Sequence, residues 1–169
     1  GLLSGFDLKN MTPASLEAVH LTGEAGALAF ADRNTFIGDS DFVRVPANEM
    51  IDGGYLKRRA QEIDIRRAGG HRKAGKPNMP TALLLSPHEG LEGPSTTHLS
   101  VVDATGSAVS MTSSVENAFG SRQMASGFIL NNQLTDFSFR PTQNGRYVAN
   151  RAGAGKRPRS SMSPTLVFN

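Results

Sequence analysis

The chain contains no cysteine and no tryptophan. The missing cysteine excludes disulfides, thiolate chemistry and cysteine-based metal sites, and leaves the compartment open. Aromatic residues make up only 7%, so any core must rest on Leu, Val, Ile, Ala and Phe. No run of about 18 apolar residues occurs, so the sequence offers no membrane span. The opening GLLSGFDLKN has neither the basic nor the long apolar region of a signal peptide. What is present is 169 residues at 38% hydrophobic content, enough for one ordinary domain with a real core, or for part of a larger one.

The net charge of +3 hides an asymmetry. Residues 1–56 hold 3 Lys/Arg against 8 Asp/Glu, whereas residues 57–76 hold 8 against 2. That second block, KRRAQEIDIRRAGGHRKAGK, could be read as a nucleic-acid surface. No aromatics interleave with its bases and no zinc-finger or RNA-binding signature accompanies them. A solvated helix end running into a linker accounts for it better, so no nucleic-acid partner is expected.

The pattern along the chain changes character once. NMTPASLEAVHLTGEAGALAFADRNTFIGD reads as a helix, with Thr12 as N-cap, Pro13 in the first turn, Leu16, Val19, His20, Leu28 and Ala31 near helical spacing, and Gly38-Asp39 as its stop. ANEMIDGGYLKRRAQEI is a shorter helix interrupted at Gly53-Gly54. Glycine and proline then crowd residues 68–95, the mark of a linker. After Thr96 the text is strand-like. THLSVVD and SAVSMTSSV form two strands around the turn ATGS, followed by GFILNN and, at the end, SPTLVF, with a Gly/Arg-rich loop from 145 to 161 between them. Helices first, strands later, and a seam between them predict an α+β fold with boundaries at 1–67, 68–95 and 96–169. A final strand with no turn after it reads as cut short.

Thr96 and Thr97, beside His98, raise the question of a nucleophile. A threonine hydroxyl is weak without an adjacent base. On composition alone the better reading of Thr96 is a β-branched residue opening a strand. His98 in such a strand is packing or a hydrogen-bond partner more readily than a base.

Four stretches carry a family resemblance. TTHLSVVDATGSAVSMTSSVENAFG, ILNNQLTDFS and KRPRSSMSPTLVF resemble the start of the small subunit of the γ-glutamyltransferases, which are N-terminal-nucleophile hydrolases. LTGEAGALAFADRNTFIGDSDFVRVP resembles the helical end of that family's large subunit. The resemblance implies an αββα four-layer sandwich and a precursor that cleaves itself between Ser95 and Thr96. Thr96 then becomes the nucleophile and its own freed α-amine the base. An α-amine of ordinary pKa, about 7.7–8.0, is partly neutral at working pH.

The same resemblance assigns the other site residues. Ser114 matches a position that is commonly Thr and hydrogen-bonds the nucleophile. Glu116, Gln133 and Asp136 match positions that hold the α-amino group of a γ-glutamyl donor. Glu116 departs from the commoner Asn. Ser160 and Ser161 match a pair that holds the donor's α-carboxylate. The implied substrates are glutathione or related γ-glutamyl compounds, with an amino acid, a peptide or water as acceptor, and no metal or cofactor. The implied partners are the large and small subunits of one precursor, and the implied location is periplasmic or extracellular. The family's carboxylate-binding arginine and its oxyanion glycines fall outside these 169 residues, so the chain is expected to be the middle of a longer precursor and inactive by itself.

Two rivals remain at this level. A cephalosporin or glutaryl acylase would use the same nucleophile, but the paired carboxylates Glu116 and Asp136 suit an ammonium group. A non-catalytic binding module would use the basic 57–76 block, and a salt titration of DNA binding separates it.

Overall fold

Helix α1, Leu16–Phe36, organises the first part of the chain. A computed structural model describes residues 1–79, 85–87 and 96–168. The cap is Ser15, whose Oγ accepts from the Ala18 N–H at 3.3 Å, and not Thr12. The reason is local: Ala14 adopts a φ of +59°, so the Pro13-Ala14 pair forms a turn that a helix cannot run through. The buried stripe is Leu21, Glu24, Ala25, Leu28, Asp32, Thr35 and Phe36, at helical spacing. Leu16 and Val19, expected on that stripe, are exposed. Leu21, Ala25, Leu28 and Ile63 form the core here, with Leu2, Leu3, Phe6 and Met11 packed against it. Burying a Leu side chain contributes about 1.5–3 kcal/mol.

The expected second helix is two: α2, Ala47–Met50, and α3, Gly53–Ala60. Asp52 separates them by capping α3, its carboxylate accepting from the Tyr55 N–H at 2.8 Å. Of the basic block that follows, two members serve packing. Arg59, buried, donates to both oxygens of buried Asp32 (3.3 and 3.1 Å) and to the carbonyls of Leu28 and Lys73. Tyr55 donates to the same carboxylate at 2.7 Å, and burial followed by that carboxylate pushes its hydroxyl pKa well up. Arg72 pairs with Glu24, which holds the Glu24 carboxyl below its ordinary pKa. Residues 69–79 are irregular, yet they are fastened to α1, because the Gly69 N–H donates to Glu24 and the Gly75 N–H to Asp32.

The strand-like half begins with the expected hairpin. β1, Thr97–Val102, pairs antiparallel with β2, Ala108–Ser113, placing His98 opposite Thr112 and Leu99 opposite Met111. Asp103 closes the turn by accepting from the N–H groups of Thr105 and Ser107. GFILNN yields only Phe128–Ile129 (β4), paired with Met124–Ala125 (β3). The loop from 145 onward begins instead with a strand: Arg146–Tyr147 (β6) pairs with Thr142–Gln143 (β5). The turn between them is Asn144-Gly145 with both φ angles positive, the two-residue geometry that favours a hairpin.

The strand expected at SPTLVF does not form. Strands need a neighbour's backbone groups, and none pairs with this segment among the described residues. It is tied to β2 by Ser110 Oγ, which donates to the Thr165 carbonyl at 3.2 Å. The chain is therefore mixed helix and sheet, with three two-stranded hairpins among the described residues. No described helix is long and apolar enough to cross a membrane.

The two parts meet at the C-terminal end of α1. Gly38 lies so close to the main chain of Ala149 that a Cβ there would sit 2.6 Å from the Ala149 oxygen. Val148, Ala149 and Asn150 are fully buried at this contact.

Removing the anchor of the helical part has a defined consequence. Asp32→Ala removes the buried partner of Arg59, Tyr55 and the Gly75 N–H and leaves Arg59 only the half-exposed Glu62 at 2.7 Å, a change that should cost up to about 3–5 kcal/mol. The urea midpoint of the full-length protein should fall accordingly, whereas Glu49→Ala, on an exposed pair with Arg44, should move it by less than about 1 kcal/mol.

Candidate active site

The hairpin sorts its residues by the two-residue period of a strand. One face carries Thr96, His98 and Ser100 with Ser110, Thr112 and Ser114; the other carries Leu99, Val101, Val109 and Met111. Thr96 stands immediately before β1, and its Oγ donates to Ser114 Oγ at 3.3 Å. Ser114 is one residue past β2, so the strand pairing itself delivers the two hydroxyls to each other. The bond is long for O–H···O, as catalytic hydrogen bonds often are before a ligand tightens them. Ser114 Oγ also accepts from the Glu116 N–H at 2.8 Å, which fixes its position.

His98 is occupied elsewhere. Its Nδ1 lies 2.8 Å from Thr112 Oγ1 and its Nε2 3.2 Å from Ser100 Oγ. It is a polar tie across the hairpin, as its strand position suggested. Ser95, the residue before the expected cleavage, lies outside the described residues.

Glu116 turns the chain away from β2. Its φ of +70° is unusual for a residue with a Cβ. The half-buried side chain reaches Thr135, whose Oγ lies 2.8 and 2.7 Å from the two carboxylate oxygens. Thr135 belongs to a short 3-10 turn, Gln133–Asp136, that also holds the other two candidate amino-group ligands. Asn132 starts this turn and binds it back to the Glu116 region by accepting from the Asn117 N–H at 3.0 Å. Glu116, Gln133 and Asp136 are thus brought to one neighbourhood by Thr135 and Asn132, neither of which the sequence singled out. Gln133 Oε1 is buried without a hydrogen-bond partner among the described residues.

Ser160 and Ser161 are held by a different part of the chain, the end of α1. Arg157 grips Asp39 by its N–H (2.8 Å), Nε (3.1 Å) and Nη2 (2.8 Å). Arg159 Nη1 donates to the Asn34 carbonyl at 3.3 Å, and Arg33 Nη2 to Ser161 Oγ at 2.5 Å. Ser160 Oγ accepts from the Met162 N–H at 3.0 Å. Lys156 is buried and donates to the carbonyls of Ala149 and Arg151, and burial lowers its pKa. Of the three bases before the serines, each is therefore spent on loop structure.

One side chain links the two clusters. Asn150 donates from Nδ2 to the Asp136 carbonyl at 2.6 Å and accepts at Oδ1 from the Arg159 N–H at 2.9 Å. It was missed because a buried amide in a Gly/Arg-rich stretch has no periodic signature.

The grip on Asp39 predicts a pH signature. The Arg157 guanidinium, then the Arg157 N–H, holds the Asp39 carboxyl well below the usual carboxylate range. A lowered folded pKa contributes stability that is fully present above the unfolded value of about 3.9 and is lost as pH falls through the folded value. Asp39→Asn should therefore lower the urea midpoint by a constant amount from pH 7 down to about pH 5, and the gap should narrow below about pH 4. A gap that widens in acid would contradict the assignment.

Comparison with known proteins gives this geometry a context. The family model described as Gamma-glutamyltranspeptidase matches residues 1–169. The glutathione hydrolase proenzyme of Escherichia coli (strain K12) is 39% identical over 98% of this chain and 28% of its own length. The Acylase ACY 1 proenzyme of Pseudomonas sp. (strain SE83) is 34% identical over 99% of this chain and 27% of its own. A crystal structure of a Helicobacter pylori γ-glutamyltranspeptidase mutant is 44% identical over 43% of each chain, with a TM-score of 0.37, too low to argue arrangement from. The chain spans a little over a quarter of the length of the curated relatives it matches. With a family match along its whole length, the chain belongs to the γ-glutamyltranspeptidase family.

Proposed function

We propose that this chain is the self-cleavage junction of a precursor enzyme that hydrolyses or transfers the γ-glutamyl group of glutathione and related compounds. The observation that carries the proposal is the Thr96–Ser114 hydroxyl pair, fixed by the Glu116 N–H, in a chain of this family. Residues 1–67 form the helical end of the large subunit, 68–95 the seam, and 96–169 the start of the small subunit. The four-layer αββα arrangement belongs to the same proposal. Its support is the apolar hairpin face of Leu99, Val101, Val109 and Met111, which lies exposed and suits a covering layer. Location in the periplasm or outside the cell rests on the family resemblance, and fractionation of expressing cells tests it.

The chemistry follows from the pair. In the precursor, Thr96 Oγ attacks the carbonyl carbon of residue 95. The peptide C–N bond breaks, an ester to Thr96 forms, and the nitrogen keeps its own proton and gains the one given up by the hydroxyl to become the α-amine. Water then hydrolyses the ester and leaves Thr96 as a new N-terminus. In the mature enzyme the neutral α-amine takes the hydroxyl proton as Oγ attacks the γ-glutamyl amide, and it returns a proton to the leaving amine. Water or an amine acceptor then takes the acyl group from the ester. The bond to Ser114 holds the Thr96 oxygen in one orientation at rest, and in the attacking state the Thr96 proton turns from Ser114 to the α-amine.

Glu116, Gln133 and Asp136 are the proposed ligands of the donor's α-ammonium. An ammonium ion offers donors only, which the Glu116 and Asp136 carboxylates and the unsatisfied Gln133 Oε1 would accept. The acylase reading has a relative to support it, but a glutaryl group has no ammonium to place among these acceptors.

Two outcomes test this reading. Thr96→Ala in the full-length precursor should abolish self-cleavage and turnover together, and Thr96→Ser should keep part of both. Intact-mass measurement decides: an Ala variant that still splits before residue 96 would remove Thr96 from the role. Asp136→Asn should weaken γ-glutamyl anilide by about ten- to a hundredfold in kcat/KM, the scale of one charge-assisted hydrogen bond of about 1.5–3 kcal/mol. The same variant should improve glutaryl anilide, and an unchanged ratio of the two would overturn the assignment.

A further inference from the structure

Residues 157, 159 and 161 all reach toward the C-terminal end of α1 or the loop after it, and they do so in order. Arg157 takes Asp39, Arg159 the Asn34 carbonyl, and Ser161 the guanidinium of Arg33. Every second residue of the segment is thus fastened, and Ser160, between two of them, is exposed, as Ser161 is. Arg33 is itself held in place: its guanidinium lies over the Phe30 ring, 5.3 Å from the centroid, and Nη1 donates to Asn34 Oδ1 at 3.3 Å. It is half-buried, in the last turn of a helix whose C-terminal dipole favours a cation.

We propose that Arg33 is a positioning residue for the donor's α-carboxylate, acting through Ser161. The proposal rests on reading Ser160 and Ser161 as the carboxylate cluster. A hydroxyl has one proton to give and two lone pairs to accept with. Arg33 donates into one lone pair of the Ser161 oxygen, which favours the serine giving its proton in a further bond, the role a carboxylate requires. The charge-assisted bond also polarises the hydroxyl and strengthens what it donates. Arg33 brings a full positive charge near the anion without contacting it. Because α1 lies in the part assigned to the large subunit and Ser161 in the part assigned to the small one, the carboxylate subsite would be set by both.

The test uses the full-length, self-cleaved enzyme and two donors, γ-glutamyl-p-nitroanilide and 4-aminobutyryl-p-nitroanilide. The second keeps the amine and the scissile amide and lacks the α-carboxylate. Arg33→Gln should raise KM for the γ-glutamyl donor about tenfold, leave its kcat within about threefold, and leave kcat/KM for the 4-aminobutyryl donor unchanged. Arg33→Lys, which keeps the charge without the planar fork, should recover part of the loss. It also serves as the informative variant should the Gln form fail to self-cleave. In a Ser161→Ala background, Arg33→Gln should add little, because the two act on one interaction. Equal losses on both donors, or no change in KM for the γ-glutamyl donor, would overturn the proposal. The paired Ser160→Ala, Ser161→Ala variant separates the two possible failures. If it leaves the preference for the γ-glutamyl donor intact, the carboxylate-cluster reading falls and this proposal with it. If it removes that preference while Arg33→Gln and Arg33→Lys do not alter it, only the role of Arg33 falls.

Discussion

The candidate site depends on one buried amide. Asn150 is fully buried, and its side chain uses both ends, one on the Asp136 carbonyl and one on the Arg159 N–H. Its own carbonyl accepts from the Ser138 N–H at 2.9 Å. The turn that carries Gln133 and Asp136 and the segment that carries Ser160 and Ser161 are separated by more than twenty residues of chain. Asn150 fixes their spacing with no ionic group. An amide suits that task because it offers donors at one end and an acceptor at the other on a rigid plane. A neighbouring main chain left unpaired in this interior would carry a penalty of about 1–3 kcal/mol per group.

Charge does the equivalent work in the helical part. Asp32 gathers Tyr55, Arg59 and the Gly75 N–H around one carboxylate, and Glu24 gathers Arg72 and the Gly69 N–H. Both acids lie on the buried stripe of α1, where a purely apolar face would be the simpler solution. Buried ion pairs of this kind contribute little net stability compared with apolar packing, but a wrong partner there is heavily disfavoured. What they specify here is the path of residues 69–79 along α1. The basic block is therefore built into the fold at Arg59 and Arg72, which removes two of its charges from any external surface.

The sequence made the hairpin legible because its pattern is local. Strand-like composition on each side of ATGS predicts β1 and β2, and the register the hairpin then adopts brings Thr96 to Ser114. Helix α1 was legible in its existence and its end, but not in its start or its facing. Its apolar residues surround it, so Leu16 and Val19 looked like core, whereas Asp32 and Glu24 lie buried because of partners far along the chain. The Asn144-Gly145 turn carried a clear hairpin signal that the surrounding glycines and arginines obscured. The SPTLVF segment has the composition of a strand, but strand formation requires a pairing partner that composition cannot supply. Thr135, Asn150 and Arg33 act through contacts at sequence separations of 19, 14 and 128, which no local pattern encodes.

Glu116 is where the Thr96–Ser114 hydroxyl pair and the proposed ammonium cluster are joined, and its backbone explains how. Its N–H donates to Ser114 Oγ, and the φ of +70° at the following N–Cα bond turns the chain so that the carboxylate reaches Thr135. The left-handed conformation costs about 1–2 kcal/mol for a residue with a Cβ, and asparagine is among the residues that tolerate it best. That is the residue more common at this position in the family that the sequence resembles. Glutamate here accepts more backbone strain and gains a full negative charge where the donor's ammonium is proposed to bind. The hydrogen bonds to Ser114 and Thr135 oppose the strain, and they are the same bonds that hold the Thr96–Ser114 pair and the acceptor cluster in register. Relaxing the backbone at Glu116 would thus loosen both at once, and in the proposed reaction this would couple donor binding to the geometry of attack.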